Sequence, residues 1–455
     1  MKRRFVRISV ILLLLVGLPL IGWRAFLAIV INKKLADIRA AGLPTNGEEL
    51  NRWYPAVPDN QNAALVLTQA FALLKTINTS SDKRSEVVWK LKDKFPRRAD
   101  LLTPEQVDLI RWHVETNFPA MTKAREALKL PASRYPVDYK RLFSTELPHL
   151  AHLANLAYLN QCKSALEILD GRNGVVPEDI ETILALAHSL DSEPCLISAV
   201  VRSHMTRMAI ATLEMRVNSG SMNPAEIATV KDAFTLMHAT NIPARALIGE
   251  RAMTIPYFRM SRAEAYRINP PKDEEDSRKN SPWPYNGPAI LRLIGYYELD
   301  FGSYLIGMNK GIAALSNAPP DNLRAGGYFA RIGEESTKRR RSLSGHFLSL
   351  YASVAQRENE GVARQRLALA ALAVESFRNE SSRLPETLEE LTPKYFQQIP
   401  EDPFTGMELK YRRMDKGYIT YSVGSDLEDN NGLEKADKKE SDDRQSYDIT
   451  FTVER

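Results

Sequence analysis

The sixteen residues Ile8–Trp23, ISVILLLLVGLPLIGW, contain no charged side chain, and no other stretch of the chain approaches them in length and apolar character. Basic residues precede them, and after Arg24 the apolar character resumes through Ile31. A helix needs about 20 apolar residues to cross the hydrocarbon core of a bilayer. Residues 8–31 are long enough if the Arg24 side chain extends towards the headgroups. We therefore predict a single transmembrane helix over residues 8–31, with Trp23 at the membrane interface.

Two alternatives for this segment are a cleaved signal peptide and a buried core helix. The apolar stretch is long for a signal peptide, and no small-x-small cleavage site follows Gly22, so the sequence favours an uncleaved anchor. The flanking charges favour a cytoplasmic N-terminus, residues 1–7, with the bulk of the chain outside. We expect a single-pass protein of the cytoplasmic (inner) membrane that contacts the lipid bilayer through residues 8–31.

The composition of the whole chain is that of a globular protein. Of its 455 residues, 44% are hydrophobic and 26% are charged, which excludes a wholly disordered chain, a fibrous repeat and a multi-span transporter. The net charge of +5 does not suggest nucleic-acid binding. Two cysteines are too few for a disulfide-dense scaffold. Outside the cytoplasm, Cys162 and Cys195 can form one disulfide across a helical hairpin, and the alternative is two small buried apolar residues.

Residues 32–359 show a helical pattern interrupted by proline and glycine. Thr103-Pro104-Glu105 and Asn223-Pro224-Ala225-Glu226 are typical of helix starts. Alternating β-branched runs are missing, and no fixed repeat period occurs. We predict an irregular extracytoplasmic domain of stacked antiparallel helices. Its predicted helices include residues 147–169, 242–268 and 290–315.

The sequence contains no G-x-S-x-G elbow, Walker A loop or G-x-G-x-x-G motif, so we predict no nucleotide site. His149 and His152 are spaced to face one side of a helix, but no H-E-x-x-H motif contains them, and we interpret them as satisfied polar positions. The basic run Lys338–Arg341 is either a contact for anionic lipid or an acidic partner, or a solvated helix face, which we favour. Trp283 and Tyr285 are expected to pack on their own domain rather than bind a partner.

The sequence changes character at residue 360. A helix with an apolar stripe precedes RLPETLEEL (383–391), which predicts a second, short helix, and IPEDPFTG (399–406), which predicts a turn. We predict a small α+β module over residues 360–455, with a short antiparallel sheet. Its strands are expected at Glu408–Arg412, Gly417–Val423 and Tyr447–Val453.

Taken in order, the long helix, RLPETLEEL, IPEDPFTG and GYITYSVGSD (417–426) resemble the C-terminal globular part of the major (G-type) pseudopilin of type II secretion systems. The resemblance implies an extracytoplasmic α+β domain with a calcium ion bound in the loop after the last hairpin strand. In this chain the matching loop begins at Ser425, and Asp426, Asp429 and Asn430 supply oxygen ligands of the type that calcium prefers. The alternative is an acidic surface loop without a metal.

The chain departs from that family in two respects. No acidic residue occurs in its apolar segment, and residues 32–359 separate that segment from the module. We therefore predict a structural or interaction protein with protein partners in the envelope, associated with envelope organisation or a type II secretion-like assembly. Two alternatives are a membrane-anchored hydrolase with a site between helices of the middle domain, and a divergent pseudopilin subunit.

Overall fold

The structure of the chain is a computed structural model that describes residues 2–75, 91, 95–236, 241–260, 264, 267, 289–434 and 447–455, with the backbone alone for residues 2–14 and 342. The chain is mainly helical, as predicted, with a small antiparallel sheet near the C-terminus. The first helix, α1 (Lys2–Ala40), continues without a break through Pro19.

The later elements follow in chain order. The next helices are α2 (Gly47–Trp53), α3 (Ala63–Leu73), α4 (Pro104–Arg125), α5 (Pro148–Leu169), α6 (Val176–His188), α7 (Leu196–Asn218) and α8 (Pro224–Leu236). They are followed by α9 (Ile242–Thr254), α10 (Ala289–Leu293), α11 (Tyr296–Leu315), α12 (Arg324–Lys338), α13 (Ser342–Tyr351) and α14 (Val354–Ser381). The strands are β1 (Lys410–Met414), β2 (Gly417–Ser422) and β3 (Ile449–Val453).

The predicted helix starts are confirmed by their capping contacts. Thr103 Oγ1 accepts the N–H of Gln106 at 3.3 Å, and Gln106 Oε1 accepts the N–H of Thr103 at 2.9 Å, which forms a reciprocal capping box at the start of α4. Asn223 Oδ1 accepts the N–H of Glu226 at 2.9 Å at the start of α8. Each contact satisfies an N–H group that the first helical turn leaves without a partner, and stabilises the helix by about 1 kcal/mol.

Two long predicted helices are shorter in the structure. The helix predicted over residues 242–268 ends at Thr254, and a 3₁₀ turn that contains Pro256 follows it. The helix predicted over residues 290–315 is divided at Gly295, which has a φ of +81°. A Cβ atom on Gly295 would stand 2.3 Å from Leu27 Cδ1 of α1. The break at this position therefore depends on a left-handed glycine and on close contact with α1.

The buried side chains form two large clusters. Core A combines residues of α3–α8 with residues of α14 and the sheet, and core B combines the C-terminal half of α1 with α9, α11, α12 and α13. Residues 363–453 therefore bury their apolar side chains in the same core as residues 63–234. The domain boundary at residue 360 stays a prediction, and hydrophobic packing continues across it.

The sheet has the order β1-β2-β3, and both strand pairs are antiparallel, with Tyr411 opposite Thr420 and Thr420 opposite Phe451. The central strand β2 is buried along its whole length. The Tyr418 hydroxyl donates to the Ala371 carbonyl of α14 at 3.2 Å, which fixes the sheet against that helix.

Side chains of α7 cover the outer edge of β3. The N–H of Thr452 donates to Glu214 Oε1 at 2.7 Å, and Asn218 Nδ2 donates to the Thr452 carbonyl at 3.0 Å. The N–H of Glu454 donates to Asn218 Oδ1 at 2.8 Å. Because an unpaired strand edge exposes backbone groups to other chains, these contacts satisfy groups that would otherwise be open.

Candidate functional site

The loop after β2 contains the three predicted calcium ligands. Asp426 Oδ1 accepts the backbone N–H of Glu428 at 3.1 Å. Asp429 accepts the backbone N–H of Asn431 at 2.9 Å and pairs with Lys410 Nζ at 3.0 Å. The structure therefore brings the two carboxylates into one loop, where each already accepts a hydrogen bond from that loop.

The third predicted ligand, Asn430, donates through its side-chain amide to the Glu428 carbonyl at 3.3 Å. Within the part of the chain that the structure describes, no group of three or more histidine, cysteine, aspartate or glutamate side chains is arranged to hold a metal ion. Four acidic residues that continue the loop lie outside the described residues: Asp437, Glu440, Asp442 and Asp443. The calcium site stays a prediction.

Asp448 is a buried carboxylate beside this loop that the sequence analysis missed. It is 7% exposed, and it accepts the N–H of Gly432 at 2.6 Å and the N–H of Asn430 at 3.4 Å. Burial raises the pKa of Asp448, and the neighbouring carboxylates Asp429 and Asp426 raise it further. Its position directly before β3, in the alternating run YDITFTV, is the sequence signal that could have identified it.

A half-buried ion-pair network joins β3 and the acidic loop to α7. Arg97 pairs with Glu214 at 3.1 Å and with Glu434 at 2.5 Å. Burial raises the pKa of Glu214 to about 7, although Arg97 and the N–H of Thr452 lower it. These contacts attach the C-terminal sheet to the helices of core A by charged groups as well as by apolar packing.

His149 and His152 lie in different surroundings. His149 Nε2 lies 3.0 Å from a carboxylate oxygen of Glu193, which also accepts the Ser198 hydroxyl at 2.6 Å, and all three side chains are buried. His152 stacks on Phe71, with the ring centroids 5.1 Å apart. The Ser198 hydroxyl donates to the Glu193 carboxylate rather than to the His149 imidazole, so these three side chains are not arranged to activate a nucleophile. This arrangement agrees with the interpretation of His149 as a satisfied polar position, whereas the interpretation of His152 stays a prediction.

The two cysteines are both buried. Cys162 belongs to core A, whereas Cys195 belongs to a third, smaller cluster together with Leu50, Tyr54 and Tyr257. The structure places the two thiols in separate clusters, and the disulfide between them stays a prediction.

A cleft of about 520 Å³ opens between α7, α14 and the segment that follows α11. Its polar lining includes Arg202, Ser203, Arg207, Glu358 and Arg366. Burial raises the pKa of Glu358, while the nearby Arg202 lowers it. The described lining residues include neither histidine nor cysteine. Three guanidinium groups beside apolar residues make the cleft suitable for an amphipathic anion.

The exposure of apolar side chains changes along α1. Leu15, Val16, Leu18 and Ile21 are 62–67% exposed. From Leu27 onward, one face of the helix is buried. Leu27 is the first buried residue of this face, and Ile31, Leu35 and Ile38 belong to core B. Among the described residues, α1 is the one helix long and apolar enough to cross a membrane.

The predicted end of the anchor, Ile31, therefore lies inside the segment of α1 that packs on the rest of the described chain, which we call the body. Hydropathy alone does not distinguish a residue covered by lipid from one covered by a protein core. Residues 8–26, between the basic N-terminus and the buried face, span about 28 Å at 1.5 Å per residue. That length is close to the hydrocarbon thickness of a bilayer, about 30 Å.

Trp23 and Arg24 attach α1 to the body near the point where it leaves core B. Trp23 Nε1 donates to the Ile294 carbonyl at 2.9 Å, and Arg24 pairs with Glu298 at 2.5 Å. Arg24, which was expected to extend towards the headgroups, is thus held by α11. Gly295 lies between these two contacts and allows the close approach of the helices.

Helices α1 and α11 run in the same direction where they meet. Arg24 contacts Glu298, and seven residues later Ile31 faces Gly302. The N-terminus of α11 is therefore at the end of the body from which the apolar half of α1 emerges.

The connection between α12 and α13 lies at the same end. The Tyr296 hydroxyl donates to the carbonyls of Arg339, at 3.2 Å, and Arg340. The Asp300 carboxylate accepts the N–H of Ser344 at 3.0 Å. We call these segments, residues 23–27, 289–300 and 338–344, the anchor end.

The chain matches no protein-family model, no curated protein and no solved structure. The resemblance of residues 360–455 to pseudopilins therefore rests on the motifs quoted from the sequence. The basis for a functional proposal is the geometry of α1, the acidic loop and the cleft.

Proposed function

We propose that the chain is a single-pass, membrane-anchored structural or interaction protein whose body lies outside the cytoplasm. The observation that supports the anchor is the contrast within α1, where exposed apolar residues precede a face buried in core B. Each fully buried aliphatic side chain is stabilised by about 1.5–3 kcal/mol relative to water. Insertion of the first half of α1 into lipid would provide this burial, which the body itself does not provide.

The contacts of Trp23 and Arg24 favour an uncleaved anchor over a signal peptide. Processing after Gly22 would leave these two residues at a chain end, where a helix frays. A divergent pseudopilin subunit would be processed near the N-terminus, so an intact N-terminal peptide in the mass spectrum of the membrane fraction supports the anchor and excludes both alternatives.

The role of the body is proposed from the pseudopilin-like motifs and the flanking charges. The module would contribute to envelope organisation or a type II secretion-like assembly at the inner membrane, through protein partners. Calcium would be held by Asp426, Asp429 and Asn430, with the Asp448 carboxylate beside them.

Topology reporters fused to the C-terminus test the location of the body. Alkaline phosphatase is active outside the cytoplasm and β-galactosidase inside it, so we expect activity from the first fusion alone, in a membrane fraction that resists alkaline carbonate. Activity of the β-galactosidase fusion alone would overturn the extracytoplasmic location, and release by carbonate would overturn the anchor. Chemical cross-linking in intact cells then identifies the envelope partners.

The cleft supports a second candidate function, a membrane-anchored hydrolase. Glu358 lies in the cleft with a pKa raised by burial, and such a carboxyl group can act as a general acid. This candidate predicts that the purified chain hydrolyses an anionic ester. The activity should be lost in Glu358→Gln and kept in Glu360→Gln, a change outside the described lining of the cleft.

A further inference from the structure

We propose that the anchor end of the body lies against the bilayer surface and binds anionic lipid headgroups. This inference rests on the proposed anchor, and it adds a second contact with lipid beyond the transmembrane helix. Four apolar side chains at this end are 42–57% exposed: Phe26, Ile290, Leu293 and Ile294. We call them the anchor-end patch.

The patch is continuous from α1 to α10. Trp23 joins its two parts, since its ring stacks on Phe26 at 5.9 Å and its Nε1 donates to the Ile294 carbonyl. Ile290, Leu293 and Ile294 are spaced at i, i+3 and i+4, which places them on one face of a helical turn. Single exposed apolar residues are common on protein surfaces, but a contiguous group indicates an interaction site.

The residues around the patch are those that favour a membrane interface. Trp23, Tyr296 and Tyr297 are three aromatic side chains with polar atoms at the level where α1 leaves the body. Tryptophan and tyrosine are enriched at headgroup level because the ring is apolar and the N–H or O–H is polar. These aromatic side chains therefore occupy the depth at which the proposed anchor enters the lipid.

Positive charge is concentrated at the same end. Lys338, Arg339 and Arg340 are exposed, and the Tyr296 hydroxyl holds the backbone of Arg339 and Arg340 next to the start of α11. Basic residues also stabilise the C-terminus of a helix such as α12, which is the alternative reason for their presence. Their position beside an exposed apolar patch and an emerging membrane helix indicates attraction to anionic headgroups instead.

Lipid fits this surface better than a second copy of the chain or another protein does. The anchor fixes the bilayer against residues 23–26, so a protein partner would have to enter between the bilayer and the body. The bilayer offers an apolar interior and charged headgroups side by side, in the order in which the patch and the basic residues are arranged.

A fluorescence experiment tests this contact in the full-length protein. Leu293→Cys carries an environment-sensitive fluorophore, and Leu350→Cys is the control, an equally exposed residue near the far end of α13. Each protein is reconstituted in phosphatidylcholine vesicles with or without phosphatidylglycerol, together with lipids that carry a quencher near the headgroup. The two native cysteines are buried, so the unmodified chain labelled in parallel gives the background.

We expect the fluorophore at position 293 to show blue-shifted emission and quenching by the labelled lipid. The fluorophore at position 350 should show neither effect. Phosphatidylglycerol strengthens both signals. The double variant Arg339→Gln, Arg340→Gln loses this strengthening, whereas Arg324→Gln, Arg331→Gln, with the same loss of charge on exposed positions of α12, keeps it.

Flotation of the vesicles separates this inference from the proposed anchor. Protein that floats with the vesicles but shows equal, solvent-like emission at both positions overturns the membrane contact and leaves the anchor in place. Equal quenching in the two kinds of vesicle overturns the role of anionic lipid. In detergent, a blue shift of the emission at position 293 that grows with protein concentration would instead assign the patch to contact with a second copy of the chain. Protein that fails to float overturns the anchor itself.

Discussion

Core A and core B are assembled from different parts of the chain and face different surroundings. Core B is built from residues 31–38 and 244–355, and it holds the anchor. Core A is built from residues 63–234 and 363–453, and it holds the sheet. The chain leaves core A after α8, forms most of core B, and returns through α14. The packing units of this protein are therefore discontinuous in sequence.

Helix α14 belongs to both cores. Ala355, in its first turn, is buried in core B, whereas Ala363, Leu367 and Val374 are buried in core A. The helix has 28 residues and is about 42 Å long at 1.5 Å per residue. Because one continuous helix contributes to both cores, we expect the cores to unfold together.

Truncation of one phenylalanine in each core gives the largest expected effect and tests this coupling. Phe234 in core A and Phe329 in core B are both fully buried. Each change to alanine should lower the free energy of unfolding by about 3–5 kcal/mol. Thermal unfolding followed by circular dichroism should show one transition that moves to lower temperature in both variants. Two separate transitions would show that the cores are independent, if Phe329→Ala lowers the midpoint temperature of one and Phe234→Ala lowers that of the other.

Acid should destabilise core A through His113. Burial lowers the pKa of His113 to about 4 from an ordinary value of 6.5. Its Nε2 atom is buried and has no hydrogen-bond partner among the described residues. Since the folded state binds the proton more weakly, the stabilising contribution of neutral His113 is lost as pH falls from 6.5 through 4, by at most about 3 kcal/mol. His113→Phe should lose less stability over this range in denaturant titrations.

The exposed residue His346 of α13 provides a matched control, and His346→Gln should follow the unmodified chain. Equal acid sensitivity of His113→Phe and the unmodified chain would contradict the role of His113.

Glu214 should give a pH dependence of the opposite sign. Burial raises its pKa to about 7 from an ordinary value of 4.5, so the folded state binds the proton more tightly. Stability should then fall as pH rises from 4.5 to 7, by at most about 3 kcal/mol, because the charge develops in a largely buried position. Glu214→Gln keeps an oxygen acceptor for the N–H of Thr452 and should remove this fall. A slope between pH 4.5 and 7 that is unchanged in Glu214→Gln assigns the dependence to another group.

Calcium should give the smallest effect and should stabilise the C-terminal part of core A. Calcium at tenfold its dissociation constant should raise the free energy of unfolding by about 1.4 kcal/mol, because a ligand that binds the folded state alone must stabilise it. The melting temperature of the full-length protein in detergent should rise with calcium and not with magnesium. The increase should disappear in the double variant Asp426→Asn, Asp429→Asn. It should remain in the control Glu401→Gln, because Glu401 lies outside the loop. An unchanged melting temperature in calcium would remove the site from the proposal.

Features set by neighbouring residues were predictable from the sequence. The starts of α4 and α8 follow from Thr103 and Asn223, because a cap acts within its own helical turn. The hairpin of β1 and β2 follows from alternation and a short turn, although β1 begins at Lys410 rather than at Glu408.

Features set by distant residues were not predictable. The break at Gly295 depends on Leu27, far away in sequence, and the buried position of Asp448 depends on N–H groups of the loop before it. The end of the anchor depends on whether lipid or core B covers each apolar residue of α1, and both environments select the same side chains.

The covered edge of β3 limits how this protein can recognise others. The amide of Asn218 substitutes for a peptide group of a neighbouring strand, and thus the hydrogen-bonding ladder stops at the body's own helix. At the opposite border, β1 carries Lys410, Arg412 and Arg413, whose charges discourage strand addition. Binding partners would consequently meet side chains on the faces and loops of the module, which makes recognition selective by surface chemistry rather than by shared backbone pairing.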